Sequence, residues 1–172
     1  MQYVYTSLAS PLGRLRLVAG DQGLAAVLWE HQDGSAQRFG AMAEAAGHPV
    51  LVHAQQQLAD YFAGTRRSFS VPLAVAGTEF QQRVWTALRT IPFGQTRSYG
   101  QIAAQIGRDK AGRAVGAANG RNPIPIIVPC HRVIGADGTL TGFTGGVAIK
   151  AQLLALERRS VSPPGAQLGL GV

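Results

Sequence analysis

The 172 residues contain one cysteine, and it stands in the run IIVPCHRVIG, residues 126–135, between Pro129 and His131. A thiol is a poor nucleophile until it is deprotonated, so it needs a base or a positive environment. His131 is the nearest candidate base. In a regular strand the two adjacent side chains would point to opposite faces. Pro129 argues instead for an irregular turn, in which Cys130 and His131 can share a site directly or through water. A base of this kind needs an orienting partner. Glu157 follows Leu153 and Leu154 by four and three residues, on the inward side of the last helical segment, and a buried carboxylate must find a partner. The competing readings are a small apolar cysteine in a core and a glutamate that merely pairs with an arginine at a helix end.

A second chemical feature lies in KAGRAVGAANG, residues 110–120. At helical spacing Arg113, Gly116, Ala117 and Gly120 share one face, and Ala111, Ala114, Val115 and Ala118 share the next. One long cation therefore rises from a surface with almost no other side chains. Such a face can approach a phosphate backbone or a groove floor closely while the arginine reaches in. It lacks the bulky polar residues that read bases in the major groove. Shape-based binding follows, with an arginine able to fill the stack if a base is extruded. The competing reading is a tightly packed internal helix.

Charge points the same way. Residues 1–76 carry five Arg against five acids, whereas residues 77–159 carry eleven Lys and Arg against four acids. The whole excess of +7 thus lies beside Cys130, as expected of a polyanion-binding face. One cysteine excludes an internal disulfide framework and any CxxC zinc or redox pair. It also leaves no second thiol to resolve an oxidised one. No run approaches the length of a membrane span, and the first residues lack a secretory pattern. A soluble protein of a reducing compartment, the cytoplasm, is expected.

The elements that must position these residues are well punctuated. QYVYTSL, GRLRLVA and GLAAVLWE read as strands separated by turn-rich ASPLG and GDQG. HPVLVHAQQQLADYF places Leu51, Ala54, Leu58 and Phe62 at helical spacing, ended by Gly64. FSVPLAV reads as an edge strand because of Pro72. His31, His48 and His53 have no metal-binding spacing and read as surface or capping residues. Thr78 with Gln81, and Ser98 with Gln101, form capping boxes that open two helices. The first carries Phe80, Val84, Trp85 and Leu88; the second carries Tyr99, Ile102, Ala103 and Ile106 and stops at Gly107. Asp109 is placed to cap the helix that follows, which completes a helix-turn-helix. RNPIPIIVPCHRV is too proline-rich for regular structure, ADGTLTGFTGG reads as loop, and VAIKAQLLALERR forms the last helix. The fold class is α+β. A sheet-plus-helix domain spans 1–76, a mostly helical domain with a winged-helix-like DNA-binding motif spans 77–159, and 160–172 is a frayed tail.

These residues together resemble the O6-alkylguanine-DNA alkyltransferase family. The likeness runs from GTEFQQRVWTALRTIPFGQTRSYGQIA through GRAVGAANGRNPIPIIVPCHRVIG to LTGFTGG and the helix with Glu157, about half of the chain. Residues 1–76 resemble the family's ribonuclease-H-like domain in layout only. The resemblance implies direct-reversal DNA repair, with irreversible, stoichiometric transfer of the alkyl group from O6-alkylguanine, and from O4-alkylthymine, to Cys130. It implies that His131 is a water-linked base, that Glu157 orients it, and that Asn122 is the hinge bracing the active-site loop. Tyr99 is similar to the tyrosine that crowds the target nucleotide and donates a proton to guanine. Arg113 is similar to the arginine that replaces the flipped base, on a DNA surface formed with Tyr99, Ala111, Gly112, Ala114, Gly116 and Ala117. Val133, Phe143 and Thr144 would line the base pocket, with the carbonyls of Cys130 and Val133 reading the exocyclic amine. No cofactor and no metal are expected. The implied partner is double-stranded DNA containing O6-alkylguanine, bound by a monomer capable of cooperative assembly, with no membrane.

The chain departs from the family pattern at Phe143, where many members have tyrosine. It also lacks the cysteines of a zinc site or of a phosphotriester-repair domain. Two other readings stay open on the sequence. A Cys–His–Glu hydrolase would use the same triad repeatedly, and a non-catalytic damage sensor would keep the arginine helix without needing the thiol.

Overall fold

A computed structural model of the chain describes residues 2–143 and 145–161. The first three strands, β1 (Val4–Ser10), β2 (Gly13–Gly20) and β3 (Gly23–Trp29), form an antiparallel meander, and the two-residue β4 (Ala43–Glu44) adds parallel to β1. The sheet order is β3-β2-β1-β4. Both faces of β3 are buried, and a register shift opposite Val18 and Ala19 puts Ala25 and Ala26 on the same side. Leu24, Val27 and Trp29 therefore face the main core, while Ala25, Ala26 and Leu28 face a smaller cluster with Val18, Phe39 and Met42. A bulge of this kind resets the two-residue alternation without breaking the strand.

Helix α1 (Pro49–Phe62) packs on the main-core face. It opens with Pro49 in its first turn, and the His48 ring nitrogen Nδ1 accepts from the Val50 N–H at 3.3 Å, so His48 is a cap. The fully buried aromatic on this helix is Tyr61; Phe62, assigned to the stripe from spacing alone, is half-buried. The segment around Pro72 runs along β3 at the sheet edge. Leu24 N–H donates to Pro72 O at 2.8 Å and Ala74 N–H to Leu24 O at 2.9 Å. Gly23 permits this approach, because its φ is +151° and a Cβ there would lie 2.6 Å from Pro72 O.

The remaining helices pack onto the same core. Both capping boxes form, opening α2 (Glu79–Leu88) and α3 (Tyr99–Gln105). Gly107, at φ +75°, follows the last turn of α3. Helix α4 (Gly112–Gly120) starts after a turn closed by Ala111 N–H to Arg108 O at 2.8 Å. Asp109 does not cap it: the cap position is Ala111, with no side-chain cap bond, because the turn takes Asp109 into its bend and leaves its side chain exposed. The Trp85 indole N–H donates to Ala118 O at 2.8 Å, which ties α2 to α4 inside the core. Residues 130–132 form one 3-10 turn, and β5 (Arg97–Ser98) pairs in parallel with β6 (Val133–Ile134) beside it. Helix α5 (Val147–Val161) extends over Ser160 and Val161, two residues expected in the tail; the rest of that tail lies outside the described residues. One apolar cluster runs from Leu15, Leu17 and Trp29 through Leu58 and Trp85 to Ile102, Val115 and Leu153. The sheet part and the helical part thus share a continuous core.

Candidate active site

The segment before Cys130 is held open by one side chain. The Asn122 amide donates to Val128 O at 2.8 Å, and its Oδ1 accepts from the Ile124 N–H at 3.0 Å. Between these anchors Ile126, fully buried, sits at φ +75°. A β-branched residue in that region is strained by about 1–3 kcal/mol, which the surrounding bonds and burial must over-determine. The chain then turns at Pro129 into the 3-10 turn, with Cys130 N–H bonded to Val128 O at 2.8 Å and Arg132 N–H to Pro129 O at 3.0 Å. Three residues per turn set neighbouring side chains about 120° apart rather than opposed. Cys130 and His131 can thus both point inward, and both are 0% exposed.

Glu157, 1% exposed, is the hub of the buried charges. Its Oε2 meets His131 Nε2 at 2.5 Å and accepts from the Tyr61 hydroxyl at 2.7 Å and Arg132 Nη2 at 3.2 Å. Its Oε1 accepts from Arg132 Nε at 2.8 Å and the Gly94 N–H at 3.0 Å. Burial alone would raise this carboxyl, but the bonds and charges of His131 and Arg132 outweigh it and hold the group at about 2. Glu157 is therefore ionised and only accepts, which puts the histidine proton on Nε2. Nδ1 is left as the basic nitrogen, buried and without a hydrogen-bond partner among the described residues. Burial also depresses the basicity of His131, against the pull of Glu157, so the ring is neutral at neutral pH.

The thiol itself is pushed up to about 11 by burial. Opposing this are a hydrogen bond from the Asn122 side chain, the charge of Lys150, and the N–H groups of Cys130 and His131. Cys130 thus rests as a thiol, with an imidazole on the next residue and donors arranged to receive a thiolate. Two further side chains join the walls around it. Lys150, fully buried, donates to Val133 O at 2.5 Å and Thr141 O at 2.8 Å. The Asn119 amide reaches Cys130 O at 3.3 Å and Gly142 O at 3.5 Å. The loop at 141–143 is thereby tied to the Cys130 turn at two points. Among the described residues no group of three or more His, Cys, Asp and Glu could hold a metal ion. No described helix is long and apolar enough to cross a membrane.

Two family models together cover nearly the whole length of this arrangement. The ribonuclease-like domain of 6-O-methylguanine DNA methyltransferase matches residues 3–75, and the DNA binding domain of the same family matches residues 79–159. The chain belongs to the 6-O-methylguanine DNA methyltransferase family. A methylated-DNA–protein-cysteine methyltransferase of Mycolicibacterium paratuberculosis is 50% identical over 155 residues, 90% of this chain and 92% of the relative. The crystal structure of Mycobacterium tuberculosis O6-methylguanine methyltransferase superposes with a TM-score of 0.86 at 46% identity, over 98% of this chain and 99% of that one. A second M. tuberculosis structure, OGT in complex with DNA, gives a TM-score of 0.82 at 48% identity, over 93% of this chain and 94% of that one.

In the part of the chain matched by the DNA-binding domain, α4 presents small residues to solvent around one long cation. Arg113, Ala114 and Ala117 are exposed, and the Arg113 side chain makes no hydrogen bond or ion pair among the described residues. Ala111, Gly112, Gly116 and Gly120 are half-buried. Gly116 lies against the Tyr99 ring, where an added Cβ would be 3.7 Å away, and Gly120 lies near Gly142 O. The small residues of α4 thus serve two purposes: they leave the outer face bare, and they let the helix close on the pocket loop. The Tyr99 hydroxyl donates to Thr141 O at 2.9 Å. Phe143 is buried and meets the Trp29 ring edge-on at 5.7 Å between centroids. Thr144 lies outside the described residues.

Sequence reasoning brought Cys130, His131, Glu157, Asn122, Tyr99, Val133 and Phe143 into one neighbourhood, and the structure gathers them there. It missed Lys150, Asn119, Tyr61 and the pairing of Arg132 with Glu157. For Lys150 a signal existed. Lys150, Leu153, Leu154 and Glu157 fall on one helical stripe, and a charge among leucines marks a partnered group at either position.

Proposed function

We propose that the protein repairs O6-alkylguanine in double-stranded DNA by moving the alkyl group, once and irreversibly, to Cys130. The observation that carries this is the hydrogen-bonded line from Glu157 to His131, which leaves a basic, unpartnered Nδ1 on the residue next to a buried, otherwise inert thiol. His131 takes the thiol proton through a bridging water. The sulfur then attacks the sp3 alkyl carbon in line: the S–C bond forms, the C–O6 bond breaks, and its electrons pass to guanine. Guanine is protonated at the ring by the Tyr99 hydroxyl, and the proton count closes when the proton held on His131 passes through solvent to the Tyr99 phenolate. That step requires Tyr99 to give up its bond to Thr141 O. The products are a thioether on Cys130 and ordinary guanine, so nothing is turned over. O4-alkylthymine presents the same sp3 carbon on an oxygen and is the second substrate.

Cys130 is closed to solvent, so the nucleotide must leave the helix and enter the protein to react. Arg113, free on α4, takes the vacated place in the stack. Ala114 and Ala117 allow the close approach, with Ala111, Gly112 and Gly116 flanking. Val133 and Phe143 line the pocket. The Val133 carbonyl carries Lys150 as a donor and keeps a lone pair for the exocyclic amine. The Cys130 carbonyl already accepts from the Asn119 amide and the Val133 N–H, so it must give up one of these bonds to read the amine. The protein works as a cytoplasmic monomer that can assemble cooperatively along DNA, with no cofactor. Asn122 fixes the turn from which Cys130 acts. In the test, Cys130→Ser should still bind methylated duplex and transfer nothing, because a serine hydroxyl is a far weaker nucleophile at neutral pH. Transfer by the serine variant at the wild-type rate would refute the assignment.

A further inference from the structure

The sheet-plus-helix half shows no chemistry in its sequence, yet it delivers one hydroxyl to the relay. Tyr61 lies in the last turn of α1, fully buried. Its ring is fixed by Phe62 at 5.5 Å, Phe69 at 5.6 Å and Phe93 at 6.0 Å between centroids. Its hydroxyl donates to Glu157 Oε2 at 2.7 Å, the same oxygen that receives His131 Nε2. We propose that Tyr61 is a positioning residue for alkyl transfer, acting through Glu157 on His131. The inference rests on the relay reading given above.

The geometry explains why one donor matters in a crowded set. Among the described residues Glu157 takes five hydrogen-bond contacts, and four come from Gly94, His131 and Arg132. Of these five only the Tyr61 hydroxyl comes from residues 1–76. On Oε2 the weakest partner is Arg132 Nη2 at 3.2 Å. Without the Tyr61 hydroxyl, Oε2 is free to swing toward that guanidinium and shorten the contact at the expense of His131. Nε2–H then loses its fixed acceptor, and Nδ1 loses the orientation in which it can take the thiol proton. The Tyr61 hydroxyl keeps its donor role throughout the working pH range, because burial and the Glu157 charge push its ionisation well above the ordinary tyrosine value. The alternative is that this bond only fastens α1 to α5.

The experiment compares Tyr61→Phe, Glu157→Gln and the double variant in single-turnover alkyl transfer, from methylated duplex and from free O6-methylguanine. DNA affinity and melting temperature are measured alongside. Tyr61→Phe should slow transfer from both substrates by about threefold to thirtyfold, the effect of one lost hydrogen bond, with DNA affinity unchanged. In the Glu157→Gln background it should add no further slowing, although both backgrounds lose thermal stability. A wild-type rate for Tyr61→Phe, or equal slowing in both backgrounds, overturns the inference while leaving the relay intact. A wild-type rate for Glu157→Gln overturns the relay reading and this inference with it. If Tyr61→Phe does not fold, para-aminophenylalanine and para-methylphenylalanine at position 61 decide, since they match in size and only the first donates. Equal rates for that pair would refute the role.

Discussion

The sheet with α1 and the helical half contribute to one site in different currencies. Residues 1–76 balance five arginines with five acids and hold no cysteine, whereas residues 77–159 hold the thiol, the base, the carboxylate and the whole charge excess. Yet the first half reaches both ends of the site. Tyr61 bonds the carboxylate at one end, and Trp29 backs Phe143 at the other. On the proposed mechanism the helical half carries the reacting groups, and the sheet half would limit where they can go. A domain without reactive residues would then govern the reaction through a hydrogen bond and a wall.

The largest effect that sharpens this contrast is expected at Trp29. Trp29→Ala removes a buried ring from the shared core, at a cost of about 3–5 kcal/mol in unfolding free energy. Chemical denaturation measures it. The Trp29 ring also lies where a Cβ on Gly145 would come within 3.2 Å, so the cavity opens directly behind the pocket loop. Alkyl transfer measured well below the melting temperature should slow as well, and a variant that is merely less stable would show that the sheet half does not shape the pocket.

Glu157→Gln comes next and belongs to the helical half alone. Transfer should slow by about one to three orders of magnitude, the range of general acid–base contributions, with DNA affinity nearly unchanged. The same group sets an acid limb of stability. Glu157 is held at about 2 in the fold against an ordinary 4.5, so its contribution is full above 4.5 and is lost as pH falls toward 2. His131 acts in the same direction: its folded value lies below the ordinary 6.5, so the unfolded chain takes up the proton first on acidification. Unfolding free energy should therefore decline from about pH 6.5 downward, and Glu157→Gln should flatten the lower part of that decline. An unchanged acid limb in the variant would assign it to other groups.

The smallest of these three effects separates binding from chemistry. Arg113→Ala should reduce transfer from duplex by about tenfold to a hundredfold, since extruding a base costs a few kcal/mol that the inserted guanidinium offsets. Reaction with free O6-methylguanine should stay at the wild-type rate. Equal losses on both substrates would remove the finger role.

The sequence was most legible where a local rule suffices. Thr78 with Gln81 and Ser98 with Gln101 make their boxes because each needs only four consecutive residues. Glu157 was legible as a charge on an apolar stripe, and Lys150 carries the same signal. Tyr61 was not, because a tyrosine on an apolar stripe is indistinguishable from core until Glu157 is brought across 96 residues to meet it. Asn119 likewise depends on two loops folding toward α4. The positive φ of Ile126 goes against the preference of its own side chain and is set by Asn122 and the core around it. Asp109 misled for the opposite reason: a good capping residue stood at a plausible place, but the turn through Arg108–Ala111 moved the helix start to Gly112.

The central claim is that Cys130 is a consumable acceptor. The most direct test incubates the protein with excess duplex carrying O6-methylguanine and measures intact and peptide mass together with the methylguanine remaining. One methyl group per chain is expected, on the peptide containing Cys130, with repair stopping when the protein is used up. The thioether is a poor leaving group and the chain has no second thiol to receive the methyl. Repair continuing well past one equivalent, or a methyl group found on any other residue, would contradict it.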